Sequence, residues 1–326
     1  MFPIAEYWWA YLAFTAFVAV LLALDLGVFN RRPRAISMPD AAKATVGWFL
    51  LAVAFNYVFY LWATTRLPMA QAHEAALQFA AGYLVERALS FDNIFIFVVV
   101  FNYFSIPPVY QHRVLFYGIA GAFVFRAIFV ALGAVLMRYH AVVMFFGALL
   151  LYTGGKMALG MGEEKIEPER NPVIRLLRRW MPVTAQIDGE RFFKRIGGVR
   201  HATPLFIALV FLELTDIVFA IDSVPAIFAL TDEPLIVFSS NILAILGLRA
   251  MYFLLAGAMD KFHLLKYGLA LVLIFVGLKM VWFNGVYAPH VPIGWSLGII
   301  GSTLAVFVAL SLALPDRGTM KAEGRD

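Results

Sequence analysis

Long apolar runs separated by short polar stretches follow one another along the whole chain. Nine of them approach or exceed the roughly 20 residues that cross the hydrocarbon core of a bilayer. They lie near 6–29, 41–65, 76–104, 113–137, 140–159, 203–230, 234–257, 264–283 and 294–314. This pattern predicts an all-α polytopic membrane protein with about nine transmembrane helices, and the odd number places the two termini on opposite sides.

The composition agrees with a membrane protein and narrows its chemistry. The 326 residues are 62% apolar and 14% charged, whereas an ordinary soluble domain is about 25% charged. The chain contains no cysteine, which excludes a disulfide framework, a thiol redox centre and thiolate metal ligands. A net charge of +5 would suggest nucleic acid in a soluble protein, but here the basic residues orient membrane spans. No nucleic-acid partner is expected.

The positive charges fall mainly on one side of the predicted topology. Nineteen Lys and Arg residues lie in the loops of one side, and only Arg66 and Arg138 lie in those of the other. By the positive-inside rule, the amino terminus is expected outside and the carboxyl terminus in the cytoplasm. The first span has no basic residue before it, which favours a retained first helix over a cleaved signal.

The one sizeable segment outside the membrane is the cytoplasmic linker, residues 160–203. Its apolar positions near Val173–Met181 share a helical face opposite several arginines, as expected for a helix lying on anionic headgroups. Asp188-Gly189 is the candidate turn of a short hairpin that carries Phe192 and Phe193. We expect a structural or regulatory role for this linker, with a possible cytoplasmic partner.

Polar positions in the third and sixth spans repeat at a constant offset of 130 residues, so that Glu86, Asp92 and Asn93 match Asp216, Asp222 and Ser223. Downstream, the offset is 123 residues, and Arg126, Gly154, Lys156 and Met157 match Arg249, Gly277, Lys279 and Met280. Each copy holds three spans, so the second copy enters the membrane from the opposite side, as in many transporters.

This repeat divides the chain into five parts. They are two amino-terminal helices (1–70), repeat 1 (76–159), the linker (160–203), the inverted repeat 2 (203–284) and a final helix with a cytoplasmic tail (294–326).

Charged residues within the predicted spans are the candidate functional groups, since each costs about 2.5–3.5 kcal/mol at the bilayer centre on insertion scales. Five acids lie near the middle of the third and sixth spans: Glu86, Asp92, Glu213, Asp216 and Asp222. Arg126 and Arg249 lie in the middle of two other spans and are candidate charge-compensating groups. Structural ion pairing explains these arginines equally well. The carboxylates outnumber the basic groups beside them, so those without a basic partner must be protonated or bind a cation.

Three further charged residues lie nearer helix ends. Asp25 lies towards the cytoplasmic end of the first span, and Lys156 and Lys279 lie where long side chains can reach the membrane surface. All three are candidates for a gating or charge-compensating role, with a merely structural role as the alternative. Asn241, on the seventh span, is a candidate accessory ligand or a polar contact between helices.

The predicted ligands favour a hard divalent cation. Carboxylate, amide and hydroxyl oxygens suit Mn²⁺, Mg²⁺ or Ca²⁺, whereas copper, zinc and nickel usually take imidazole or thiolate. Asn93 and Ser223 add such oxygens to the five acids. Pro225 cannot donate to the Ile221 carbonyl, so we expect a kink or break there that turns Asp222 towards Asp216.

Two stretches carry a family resemblance: ERALSFDNIFIFVVVF (Glu86–Phe101) and the long segment that begins ELTDIVFAIDSVPAIF (Glu213–Phe228). Together with ALDLGVFNRR (Ala23–Arg32), they resemble the signature stretches of the TerC family, close to its Alx-type members. The resemblance implies a protein of the bacterial inner membrane, associated with tellurium resistance by name and with manganese efflux by activity. It also implies a metal site at the seven repeat positions, namely Glu86, Asp92, Asn93, Glu213, Asp216, Asp222 and Ser223. Members like Alx also carry the label of redox modulator.

The sequence therefore favours alternating-access export of a hard divalent cation, most simply Mn²⁺, with no enzymatic activity and no bound cofactor. The alternative is a non-transporting membrane scaffold or stress sensor whose linker docks cytoplasmic partners. An intramembrane hydrolase is disfavoured because the chain has no HExxH motif. Architecture alone also admits an amino-acid exporter, but so acidic a cluster would suit only the substrate's amine.

Overall fold

The computed structural model describes residues 1–24, 37–160, 172–184, 186–256, 262–283 and 292–314. It is almost entirely helical, with one short hairpin. The elements, in chain order, are α1 (Ile4–Leu24), α2 (Met38–Thr64), α3 (Met69–Tyr103), α4 (Pro108–Leu136), α5 (His140–Ala158), α6 (Pro172–Trp180), β1 (Phe193–Ile196), β2 (Val199–Ala202), α7 (Pro204–Phe228), α8 (Pro234–Leu246), α9 (Leu248–Leu255), α10 (Leu265–Leu278) and α11 (Ile293–Ala313). A π-helical turn, Lys279–Phe283, continues α10.

Each of the nine predicted spans forms helix, which confirms the predicted all-α polytopic membrane fold. Within the described residues, eight segments are long and apolar enough to cross a bilayer, with α8 and α9 together forming one of them. The one predicted span outside this set corresponds to α3, which at 35 residues is the longest described helix. Its middle carries Glu86, Arg87 and Asp92, and this charge makes it too polar for the apolar pattern of a simple span.

Proline fixes the start of several helices. Pro108, Pro204 and Pro234 each occupy the first helical position of α4, α7 and α8, where the missing N–H has no intrahelical partner to lose. Ser37 caps α2, and its Oγ accepts a hydrogen bond from the Asp40 amide at 3.3 Å. These local signals set where α2, α4, α7 and α8 begin.

The helices surround a central segment formed by α8 and α9. Every residue from Leu235 to Tyr252 is buried, and the neighbouring helices α2, α3 and α4 pack against this segment. The same α3 and α4 also pack against α7. The middle of α3, α4, α7 and α8 therefore meets in the interior, which is where the candidate site lies.

Helices α5 and α10 approach each other closely through glycine. A Cβ on Gly154 would lie 2.9 Å from the Ala270 carbonyl oxygen, and one on Gly277 would lie 2.9 Å from the Gly147 carbonyl oxygen. The 123-residue offset exchanges these two contacts, because it relates Gly154 to Gly277 and Gly147 to Ala270. The inverted repeat stays a prediction, and this exchange of contacts favours it.

The linker folds against the ends of α3, α4, α7 and α9. Ile174 of α6 is fully buried there, which confirms an amphipathic helix. Trp180, predicted on the same apolar face, is instead 82% exposed. An ion pair of 3.2 Å between Arg113 Nη1 of α4 and Glu190 Oε2 holds the segment before the hairpin.

The predicted turn of the hairpin is wrong. Asp188 and Gly189 form a separate turn, in which the Arg191 amide donates to the Asp188 carbonyl at 3.1 Å. The hairpin turns at Gly197 and Gly198, whose φ angles are 57° and 84°. Two consecutive positive φ angles suit a tight two-residue hairpin turn, and glycine adopts them without strain.

The predicted break at Pro225 is also wrong. Helix α7 runs through Pro225 to Phe228, so Asp222 keeps its position on an unbroken helix and is not turned towards Asp216. Pro225 lies in the last turn, where the loss of one backbone hydrogen bond does not end the helix. The interruption lies instead at Gly247, between α8 and α9.

Candidate functional site

Arg126 lies at the centre of the candidate site. It projects from the middle of α4, and its side chain is fully buried. A guanidinium at this depth needs acceptors for its five N–H groups, because a buried donor without a partner costs free energy. The acceptors come from three other helices.

Two carboxylates bind this arginine. Arg126 Nη1 donates to Glu86 Oε1 of α3, while Nη2 donates to Asp216 Oδ1 at 3.2 Å and Nε to Asp216 Oδ2 at 3.4 Å. The Asp216 contact is bidentate, the geometry in which arginine binds carboxylate most strongly. Glu86 and Asp216 are the residues that the 130-residue offset relates, and the structure brings them onto one cation.

Neutral polar side chains complete this centre. Arg126 Nη1 also lies 3.1 Å from Ser223 Oγ and 3.1 Å from Asn241 Oδ1. The Asn241 amide donates in turn to Glu86 Oε2 at 3.1 Å, and the Asn93 amide donates to Asp216 Oδ1 at 3.5 Å. We call the six residues the Arg126 cluster: Glu86, Asn93, Arg126, Asp216, Ser223 and Asn241.

The Arg126 cluster is short of positive charge and has one unused oxygen. Two carboxylates face one guanidinium, which leaves a formal charge of −1 when both are ionised. Asn93 Oδ1 is buried and has no hydrogen-bond partner among the described residues. An additional cationic or donor group would therefore find both charge and an acceptor here.

Glu213 lies one helical turn before Asp216 on α7, beside the cluster. Its carboxyl group packs directly against Gly121 of α4, where a Cβ would have no room. Its Oε2 is buried and unpaired within the part of the chain that the structure describes. Glycine at position 121 thus makes the space that a third carboxyl group occupies.

The two remaining predicted acids, Asp92 and Asp222, lie apart from the Arg126 cluster, although the resemblance implies that they belong to the same metal site. Asp92 and Asp222 are half-buried, and neither forms a hydrogen bond or ion pair within the described ranges. In unbroken helices they point away from the stripe that carries Glu86 and Asp216. Across those ranges, no three Asp, Glu or His side chains lie together in a metal-binding arrangement.

The predicted basic groups have separate positions. Arg249 is buried on α9, and Lys156 is half-buried in the last turn of α5. Lys279 is buried, and its Nζ donates to Ser296 Oγ in the first turn of α11 at 3.3 Å. Asp25 lies outside the described residues.

Arg87 of α3 has a role that the sequence does not indicate, because it contacts the boundary between α8 and α9. Its Nη1 donates to the Ala244 carbonyl at 3.0 Å, near the end of α8, and Gly247 leaves the space that the guanidinium fills. No local pattern in the sequence links Arg87 to Gly247, because the contact joins two distant helices. Arg87 therefore stabilises the interruption between α8 and α9 and is not a counter-ion of the Arg126 cluster.

A small apolar cavity lies between α3, α4, α7 and the α8–α9 segment, with Asp216 in its wall. Its other lining residues are Phe97, Leu115, Gly118, Ile119, Ala122, Leu212, Ile245 and Leu248. Those on α4 and α7 precede Arg126 and Asp216 in the chain. The cavity therefore extends from the cluster towards the face of the membrane domain that carries the linker.

The fold and the site together define a polytopic α-helical membrane protein with a buried polar centre at mid-span, in which carboxylate, amide and hydroxyl groups surround a guanidinium. A family profile described as "Integral membrane protein TerC family" matches residues 71–319. The chain belongs to this family, which confirms the resemblance seen in the sequence.

Curated relatives support the same assignment over most of the chain. "Putative membrane-bound redox modulator Alx" of Escherichia coli strain K12 is 44% identical over 295 residues, which cover 90% of this chain and 91% of the relative. "Uncharacterized membrane protein STKORF319" of Myxococcus xanthus is 45% identical over 309 residues, covering 94% and 93%. "Thylakoid membrane protein TERC, chloroplastic" of Arabidopsis thaliana is 43% identical over 238 residues, covering 73% and 61%. No solved structure matches the chain.

Proposed function

We propose that the protein exports a hard divalent cation, with Mn²⁺ as the first candidate, through the Arg126 cluster. One observation carries the proposal: Glu86 and Asp216, on different helices, converge on a single fully buried cationic side chain. A place that binds a guanidinium between two carboxylates is also electrostatically suited to a metal cation when the arginine withdraws. Arg126 is then the internal occupant of the empty transporter.

The donor set supports a hard cation as cargo. The cluster offers carboxylate, amide and hydroxyl oxygens, and it contains no sulfur and no imidazole. Such oxygens suit Mn²⁺, Mg²⁺ and Ca²⁺. A dication would also balance the two carboxylates fully, whereas Arg126 alone balances one. Asn93 Oδ1, which has no partner among the described residues, is the oxygen most available to such an ion.

The cavity beside Asp216 supports a route from the linker-bearing face. Its walls are apolar apart from Asp216, and a narrow apolar passage excludes water and ions until it widens. Movement of α4 relative to α7 would both widen this passage and withdraw Arg126 from Asp216. We propose that the protein lies in the inner membrane of a bacterial cell, as its bacterial relatives suggest. The distribution of basic residues favours a linker-bearing face in the cytoplasm and an amino terminus outside.

The rival proposal is a scaffold or stress sensor that does not transport. The folded linker, docked on the ends of the membrane helices, is the observation that favours it. The name of the E. coli relative refers to redox modulation, but this chain has no cysteine through which a thiol reaction could run. Intramembrane ion pairing without transport would then be the role of Glu86, Asp216 and Arg126.

Flux in liposomes separates these two proposals. Full-length protein is reconstituted, Mn²⁺ is added outside, and entry is followed by quenching of an enclosed metal-sensitive dye. We expect Glu86→Gln and Asp216→Asn each to lower the initial rate at least tenfold. Glu74→Gln is the matched control, because Glu74 is an exposed acid on the same helix as Glu86 and should leave the rate unchanged. Absence of flux in the unmodified protein, or full flux in both cluster variants, would exclude transport through this site.

A further inference from the structure

The hairpin of the linker carries a basic pocket that the proposed transport path does not use. Four basic side chains line it, together with Asp188 and the ring of Phe193: Arg191, Lys194, Arg195 and Arg200. Four positive groups and one negative group give a formal charge of +3. The pocket lies on the exposed side of the hairpin, away from the Arg126 cluster.

The strand register places two of these charges directly opposite each other. Arg195 pairs with Arg200 across the two strands, and like charges in that position destabilise a sheet. The Arg200 guanidinium lies 5.5 Å from the centre of the Phe193 ring. No acceptor for Arg195 lies within the described part of the chain. The hairpin therefore holds two like charges together without a protein anion to compensate them.

The other charged groups of the pocket do not remove this imbalance. Asp188 pairs with Arg191 at 3.6 Å, and Lys194 Nζ donates to the neutral Gln186 Oε1 at 3.4 Å. The guanidinium groups of Arg195 and Arg200 remain for an external anion. Planar guanidinium groups bind phosphate with two parallel hydrogen bonds, so the chemistry that fits is a phosphate group.

We propose that this pocket binds the phosphate of an anionic phospholipid headgroup in the bilayer that the protein itself spans. Position favours a lipid: Arg200 lies four residues before Pro204, where α7 begins, and an extended chain of four residues reaches at most about 14 Å. The headgroup layer begins at the end of the span and is several ångströms deep.

Exposed apolar side chains beside the pocket fit the same bilayer surface. Ile196 and Val199 flank the turn and are exposed, and Trp180 at the end of α6 is exposed as well. Tryptophan is enriched where membrane and water meet, and basic residues beside apolar ones bind anionic lipid surfaces. Arg175 and Arg179 of α6 are also exposed and add positive charge to the linker.

The test uses purified full-length protein in detergent and measures binding of phosphatidylglycerol by native mass spectrometry. Arg195→Gln with Arg200→Gln should weaken the affinity on the order of thirtyfold, from the contribution of each basic residue near an anionic surface. Arg66→Gln with Arg138→Gln is the matched control, since it removes the same charge at the opposite face and should change nothing.

Two further arms complete the design. Arg195→Lys with Arg200→Lys keeps the charge but loses the paired hydrogen bonds, so it should bind more tightly than the glutamine variant and less tightly than the unmodified protein, which separates loss of charge from loss of the fold. Inorganic phosphate at equal concentration should neither bind measurably nor displace the lipid. Equal lipid affinity of the glutamine variant and the unmodified protein would overturn the proposal. Displacement of the lipid by inorganic phosphate would overturn it in favour of a soluble phosphate ligand.

Discussion

Replacement of Arg126 by methionine tests whether the charge of this arginine stabilises the two buried carboxylates, Glu86 and Asp216. The side chain donates to Glu86, to both oxygens of Asp216, and to Ser223 and Asn241. Methionine keeps much of the volume and removes every donor. Both carboxylates would then be buried without a cation, which destabilises a protein by about 3–5 kcal/mol.

Companion variants distinguish charge imbalance from loss of packing. The triple variant Arg126→Met, Glu86→Gln, Asp216→Asn removes the whole charged group, and we expect it to recover at least half of the loss, because no unpaired charge remains. Stability is measured as the midpoint of denaturant unfolding in detergent, with helicity as the signal. If the single and triple variants were equally unstable, the reasoning about unpaired charge would be refuted.

Added metal gives this prediction a second readout. If a divalent cation binds where the guanidinium lies, saturating Mn²⁺ should stabilise Arg126→Met more than the unmodified protein, by about 2.7 kcal/mol at one hundred times the dissociation constant. The triple variant, which lacks both carboxylates, should not respond. An equal response of all three proteins would show that the metal binds elsewhere.

Two predictions concern glycine. Gly154→Ala places a Cβ 2.9 Å from a backbone oxygen of α10 and should destabilise the protein by about 1–3 kcal/mol. The control Gly155→Ala has open space around its Cβ and should be neutral or slightly stabilising. Unfolding midpoints compare the two variants, and equal midpoints would refute close packing of α5 against α10. Gly121→Ala should displace the Glu213 carboxyl group and lower Mn²⁺ flux severalfold with little loss of stability. The control Gly118→Ala lies one turn earlier, has room for a Cβ and should keep full flux. Unchanged flux in both variants would show that Glu213 does not contribute to transport.

Much of the fold could be predicted from the sequence because apolar length is a strong signal. Most predicted ends lie within three residues of the observed ends where the structure describes them. The exceptions are the starts of α3 and α4, which lie seven and five residues before the predicted ones. The expected break at Pro225 is wrong because this proline lies in the last turn of α7, where the loss of one backbone hydrogen bond does not end the helix. The interruption at Gly247 depends on a tertiary contact, the packing of Arg87, which no local pattern shows.

The candidate site was predictable in part for a similar reason. A constant offset between repeats identified Glu86 and Asp216 as related residues, and the structure joins them through Arg126. Helical spacing places Asp92 and Asp222 away from the stripe that carries Glu86 and Asp216, and the expected break at Pro225 would have turned only Asp222 back towards Asp216. Distances across helices, such as those from Arg126 to Ser223 and from Asn241 to Glu86, depend on how α3, α4, α7 and α8 pack together.

The enclosure of Leu235–Tyr252 by other helices has a consequence for biogenesis. This segment leaves the ribosome after six earlier spans have entered the bilayer, yet in the finished protein its buried residues are separated from lipid. The earlier spans must therefore insert around a groove that acyl chains fill temporarily. A nascent chain halted before residue 234 would expose that groove and its charged lining to lipid, and would be a natural substrate for membrane quality-control proteases.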